Sequence, residues 1–285
     1  EPQRFWIRRW LLMAAVAGLA ACSRPGWVAA EGLPDWTARQ LLEAVAQRGY
    51  HDTELLILER LATAPEISKE LRQSLPLRRA AALVASVRRD PDLAKRESVY
   101  VAAQQETDRL LAEADDPAVV SEAAFKRGLL LLEQGRLKRE QAAGDAEAIR
   151  AAAEVFRRAH VALVGSADSG LPGGSARTAV ARELAGVDNR LADYRERRVL
   201  PREDRRKRDT LEENRERLRG RLAQLDLLAA EATAEEARCF PADSADRRAG
   251  LQESVRQYRT LAENQPTRAA GLWARVEEGR TLIEL

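Results

Sequence analysis

The chain has 285 residues, enough for one large or two modest domains. Hydrophobic residues make up 45% and charged residues 32%, which excludes a chain that is disordered throughout. Its 47 basic and 45 acidic residues leave a formal charge of +2, a balance that argues against a dedicated nucleic-acid binder.

The first element is a leader. Arg4, Arg8 and Arg9 head an uncharged apolar run from Trp10 to Ala21. The run is too short to span a bilayer as a helix and fits the hydrophobic core of a secretory signal. Residues 1–30 are therefore expected to form a signal peptide helix. The mature protein is expected to be exported, either periplasmic or membrane-anchored on the envelope. A buried N-terminal helix of a cytosolic protein is the weaker reading, because three arginines at the head of such a run have no packing purpose. Leu19-Ala20-Ala21-Cys22 resembles the lipobox of bacterial lipoproteins, which implies cleavage before Cys22 and a lipid attached to it. Ordinary cleavage after Val28-Ala29-Ala30 stays open and would discard Cys22. In either case Cys239 is left alone, and no intrachain disulfide can form. No second apolar run follows, so membrane contact is expected only through the signal segment or a lipid anchor.

From residue 35 onward Ala, Leu, Arg and Glu dominate and β-branched residues are sparse, which predicts an all-α fold. A first helix runs from Asp35, its expected N-cap, to Arg48, with Gly49 as its stop. Trp36, Leu41, Leu42 and Val45 form its apolar stripe. A second starts after Asp52, carries Leu55, Leu58 and Leu61, and ends at Pro65. The short link forces an antiparallel pair. A third covers Ser68 to Arg89, and Pro76 is expected to kink or split it. Asp90-Pro91-Asp92 and Asp115-Asp116-Pro117 open the next two, which reach about Ala114 and Ala143. Asp145 caps a sixth with Ile149, Ala152, Phe156 and Ala159 on one face.

Residues 166–176 are rich in Gly and Ser and read as a flexible linker between two helical blocks, 31–165 and 177–285. Beyond it a helix runs from Ala176 to about Arg198. A long one follows Pro201 to about Cys239, with Leu211, Leu218, Leu222, Leu225, Ala229 and Ala232 in three- and four-residue steps. This Ala-rich seam predicts packing on neighbours rather than an extended coiled coil. Ser244 or Asp246 opens the next helix, to about Asn264. The last runs from Arg268 to Leu285, where a stripe stops without a cap, so the second block is expected to be truncated at its C-terminus.

Helix pairs joined by tight turns suggest an α-solenoid. Ala38, Leu41, Leu42, Val45, Gly49, Leu58 and Leu61 follow the outline of one repeat. Ala124, Gly128, Leu131 and Gly135 fit a first helix, and Ala152, Phe156 and Ala159 a second. Ser254, Tyr258, Leu261 and Pro266 match a second helix and its closing turn; Gly279 and Leu282 begin a further first helix. On these residues the chain resembles exported bacterial tetratricopeptide-repeat proteins, with about three degenerate units over 35–285. The resemblance implies an α-solenoid of antiparallel helix pairs whose concave face binds other proteins or peptides, without catalytic residues or a cofactor.

No residue set points to chemistry. His51 and His160 are the only histidines, and neither has metal-ligand spacing around it. Both are expected at helix ends, with no buried carboxylate beside them. The Gly-rich stretch lacks the Lys and Ser/Thr of a phosphate loop. Cys239 reads as a small buried hydrophobe. Residues 195–221 are the most charged stretch; alternating signs favour a solvated, ion-paired helix over a polyanion-binding patch. The expectation is therefore a non-enzymatic envelope scaffold with no catalytic, metal or cofactor residues. The alternatives are the helical part of a larger envelope enzyme, or a structural protein binding anionic polymer through 195–221.

Overall fold

The computed structural model describes residues 34–88, 90–165, 174–195 and 201–285. The expected signal segment with Cys22, and most of the 166–176 stretch, lie outside the described residues. Within them the chain forms ten helices and no strand. These are α1 (Asp35–Gln47), α2 (His51–Thr63), α3 (Lys69–Val87), α4 (Leu93–Glu113) and α5 (Pro117–Ala142), then α6 (Ala146–Val164), α7 (Ala176–Arg195), α8 (Arg202–Ala237), α9 (Ala245–Asn264) and α10 (Ala269–Glu284).

Six helix starts are set by short polar side chains that accept an otherwise orphaned N–H, among them Ser175 ahead of α7, which accepts from Thr178 at 3.3 Å. Ser68 accepts from Leu71, Asp92 from Lys95, Asp116 from Ala118, Asp145 from Glu147 and Ser244 from Arg247. Ser244, not Asp246, therefore opens α9. Asp35 does not cap α1. Pro34 holds that position, and the Asp35 carboxylate accepts from the Ser68 N–H at 3.1 Å. Hydrogen bonds from Ser68 keep its carboxyl below the usual carboxylate range and tie the starts of α1 and α3 together. Pro76 lies inside α3 without splitting it. Leu75 and Leu77 on either side are buried, and their packing offsets the lost backbone bond.

Each helix packs on its neighbour in the chain, an arrangement compatible with a helical repeat fold. In the middle, α5 and α8 each pack on both α6 and α7, which makes a four-helix bundle. Its core takes Leu77, Leu111, Phe125, Leu131, Phe156, Leu163, Val180, Leu191, Leu218 and Leu225 from α3 to α8. Side chains on both sides of the 166–176 stretch thus share one core. Arg127, itself 2% exposed, stitches the two sides by donating to the Gly174 carbonyl at 2.7 Å. A second cluster joins α1 to α3 through Ala38, Leu42, Leu58, Leu61 and Leu71. A third joins α8 to α10 through Ala223, Ala230, Tyr258, Leu261 and Ala274.

Trp36 departs from its expected place in the stripe of α1, being 62% exposed. The buried face of α1 is built by Ala38 and Leu42, four residues apart, and Trp36 lies roughly half a turn away from both. Glycine sets the closest approach in the bundle. A Cβ on Gly128 would overlap the Leu163 side chain, 2.8 Å from its Cγ; one on Gly135 would lie 2.7–2.9 Å from ring atoms of Phe156. Both glycines face α6, so α5 and α6 meet along the two residue sets that the repeat resemblance singled out.

The end of α10 is tied to α8 by a bidentate pair. Arg238 donates to both Glu284 oxygens at 2.6 and 3.0 Å, and this holds the Glu284 carboxyl below the usual range. A carboxylate whose pKa is lowered by folding stabilises above its unfolded value, and that contribution is lost as pH falls through the lowered folded value. Protection factors of α10 amides are therefore expected to drop a few-fold between about pH 6 and about pH 3, as befits a partly exposed pair worth about 1 kcal/mol. Glu284→Gln is expected to flatten that response. Identical pH profiles for parent and variant would contradict the assignment. The outward side of α10 exposes Leu272, Trp273, Val276 and Ile283, and nothing lies near Gly279.

Candidate functional site

A cleft of about 890 Å³ runs along α8. Leu218, Leu225, Ala229 and Ala232 of α8 turn towards the bundle core, whereas Ala223 and Ala230 turn towards α9 and α10. The strip of α8 between these faces carries Arg219, Leu222 and Asp226, at helical steps of three and four. Helices α6 and α9 both pack on α8, one on each side of this strip, and leave it as the floor of a groove. His160 and Val164 of α6 form one wall. Arg256, Gln257, Thr260, Leu261 and Asn264 of α9 form the other. Arg177 at the start of α7, with Gln265 and Arg268 at the entry to α10, complete the rim.

His160 marks the place where the walls meet. Its Nδ1 lies 3.3 Å from the Ala229 carbonyl and 3.3 Å from the Thr233 hydroxyl, and Thr233 lies 3.3 Å from Oε1 of Gln257. His160 is thus part of the cleft rather than a solvated helix-end residue.

Carboxylates set the arginines. Asp226 accepts from Arg177 at 2.6 Å, and burial pushes its carboxyl up while Arg177 partly offsets this. Glu216 accepts from both Arg268, at 2.7 Å, and Arg219, at 3.0 Å; these bonds, Arg268 foremost, hold its carboxyl down. Arg256 pairs with Glu253. The cleft therefore has a floor on which Leu222 lies between Arg219 and Asp226, four guanidinium groups in its lining and one lining carboxylate, Asp226.

The other candidates fall out differently. His51 opens α2, and Nδ1 stands 3.6 Å from Oε2 of Glu54, which is 5% exposed. A buried carboxylate does therefore lie beside a histidine, contrary to expectation. Spacing accounts for it: His51 and Glu54 are three apart in the first turn, where the helix dipole favours a carboxylate. This pair is not part of the cleft. Cys239 is buried, its Sγ 3.4 Å from the Glu235 carbonyl, and burial pushes its thiol up to about 11, away from thiolate reactivity. Along 201–221 the charges pair off: Lys207 with Glu203, Arg208 with Asp209 and Glu212, Arg215 with Asp188, Arg217 with Glu183 and Arg221 with Glu122. Between α5 and α8, Arg136 meets Glu231 and Arg139 meets Glu235, which ties the bundle together. Among the described residues, no three His, Cys, Asp or Glu side chains converge as metal ligands. No helix there is long and apolar enough to cross a membrane.

The cleft arginines are not recognisable as a group in the sequence, because they come from four separate elements. No family model, curated protein or solved structure matches the chain.

Proposed function

We propose that this chain is a non-enzymatic helical-repeat scaffold, a solenoid of the tetratricopeptide type, that docks segments of other proteins in the cleft between α6, α8 and α9. What supports this reading most is the cleft itself: an open groove of about 890 Å³ whose walls come from separate helices and whose lining joins arginines, amides and apolar groups with one carboxylate, Asp226. The glycines at 128 and 135, which let α5 and α6 close on each other, support the repeat class. We assign the protein to the cell envelope on the strength of the basic head and apolar run of residues 4–22. Cys22 is the proposed lipid attachment residue under the lipoprotein reading.

One observation favours the enzyme alternative, namely the His51–Glu54 pair. A general acid–base pair needs access to a substrate, and Glu54 is 5% exposed in a first helical turn. The ion pairing along 203–217 likewise weakens the anionic-polymer alternative, because acids stand among the basic residues that would receive it.

The test is site-specific photo-crosslinking in envelope extract of the source cells. A photoreactive side chain at Thr260, in the cleft, is expected to capture a discrete protein partner. The same group at Ala112, exposed on α4, is expected to capture none of it.

A further inference from the structure

We infer that the cleft receives an acidic peptide segment, with side-chain carboxylates on Arg219, Arg256 and Arg268 and an apolar side chain on the floor between them. The inference rests on the docking reading above and specifies the partner's chemistry. Four guanidinium groups line the cleft and pair with three carboxylates, Asp226 in the lining and Glu216 and Glu253 outside it. One guanidinium is therefore left over. The excess lies at one end. Arg177 is matched by Asp226 and Arg256 by Glu253, but Glu216 alone serves both Arg219 and Arg268.

A guanidinium has five N–H donors in a planar fork, and one carboxylate occupies at most two of them. Each arginine is thus oriented from behind and keeps donors for a second acceptor. The half-buried Leu222 on the floor and the buried Leu261 on the α9 wall supply apolar surface beside these groups. Fixed donors around an apolar patch match a segment in which acidic residues flank an aliphatic or aromatic one. A nucleic-acid strand fits less well. No Phe, Tyr or Trp lines the cleft to stack a base.

The test is fluorescence anisotropy on the full chain with a labelled peptide, acetyl-Glu-Asp-Leu-Phe-Glu-Asp-amide, against its isosteric amide version in which Gln and Asn replace the acids. The acidic peptide is expected to bind about tenfold tighter than the amide one, and to weaken between about 50 mM and about 300 mM NaCl. The double variant Arg219→Gln/Arg268→Gln is expected to lose about tenfold. Thr260→Glu, which adds an anion to the cleft while keeping every arginine, is expected to do the same, and Ala112→Glu, outside the cleft, to leave binding unchanged. Equal affinity for the two peptides overturns the inference, as does acidic-peptide binding that survives both Arg219→Gln/Arg268→Gln and Thr260→Glu. Tighter binding of free glutarate or of a single-stranded oligonucleotide overturns it too. If neither peptide binds while the crosslinker at Thr260 still captures a partner, the acidic class is wrong and docking stands. If both fail, the docking reading falls with it.

Discussion

Phe156→Ala is expected to lower the unfolding free energy by about 3–5 kcal/mol. Phe156 is fully buried on α6, and its ring lies directly over Gly135 of α5. The Arg139 guanidinium stands 5.8 Å from the ring centroid and adds a cation–π contact. Truncation removes this contact and the transfer free energy of the ring together. It also leaves a cavity that cannot collapse easily, because the facing residue has no side chain to swing in. Urea unfolding followed by circular dichroism checks this, with the slope expected to stay constant. A loss below about 1 kcal/mol would mean that α5 and α6 do not meet at this ring.

Gly128→Leu is expected to destabilise by about 1–3 kcal/mol through overpacking. The new Cβ alone would overlap Leu163, which is itself fully buried, so the larger side chain has nowhere to go without parting the helices. Replacing a mid-helix glycine gains about 1 kcal/mol of helix propensity, so a net loss is a demanding outcome. Adding Leu163→Ala is expected to restore part of it, since the two positions compete for one volume; a double-mutant cycle reads the coupling. A Gly128→Leu variant that melts above the parent would contradict close packing here.

Local signals carried the reading of elements. Ser68, Asp92, Asp116 and Asp145 were legible as caps because the bond each makes reaches only two or three residues. Asp35 defeated the same logic because its acceptor serves a backbone N–H in another helix, Ser68. Periodicity placed Phe156, Ala152 and Ala159 on one buried face, but it set Trp36 in a stripe that turned out to be narrower. The short spacing of His51 and Glu54 is visible in the chain, whereas the burial of Glu54 is not. The cleft was illegible for a deeper reason. Arg177, Arg219, Arg256 and Arg268 lie far apart in the sequence, and only the packing of α6 and α9 on α8 gathers them. His160 likewise acquires meaning from Thr233 and Gln257, which lie on α8 and α9.

The docking role of the cleft is tested most directly by mapping where a captured partner touches the chain. With the photoreactive group at Thr260, a single partner is expected to be recovered, and its crosslinked peptide to shield the cleft faces of α6, α8 and α9 from hydrogen exchange. Capture of the same partner from Ala112, or protection confined to helices outside the cleft, would contradict the proposed role.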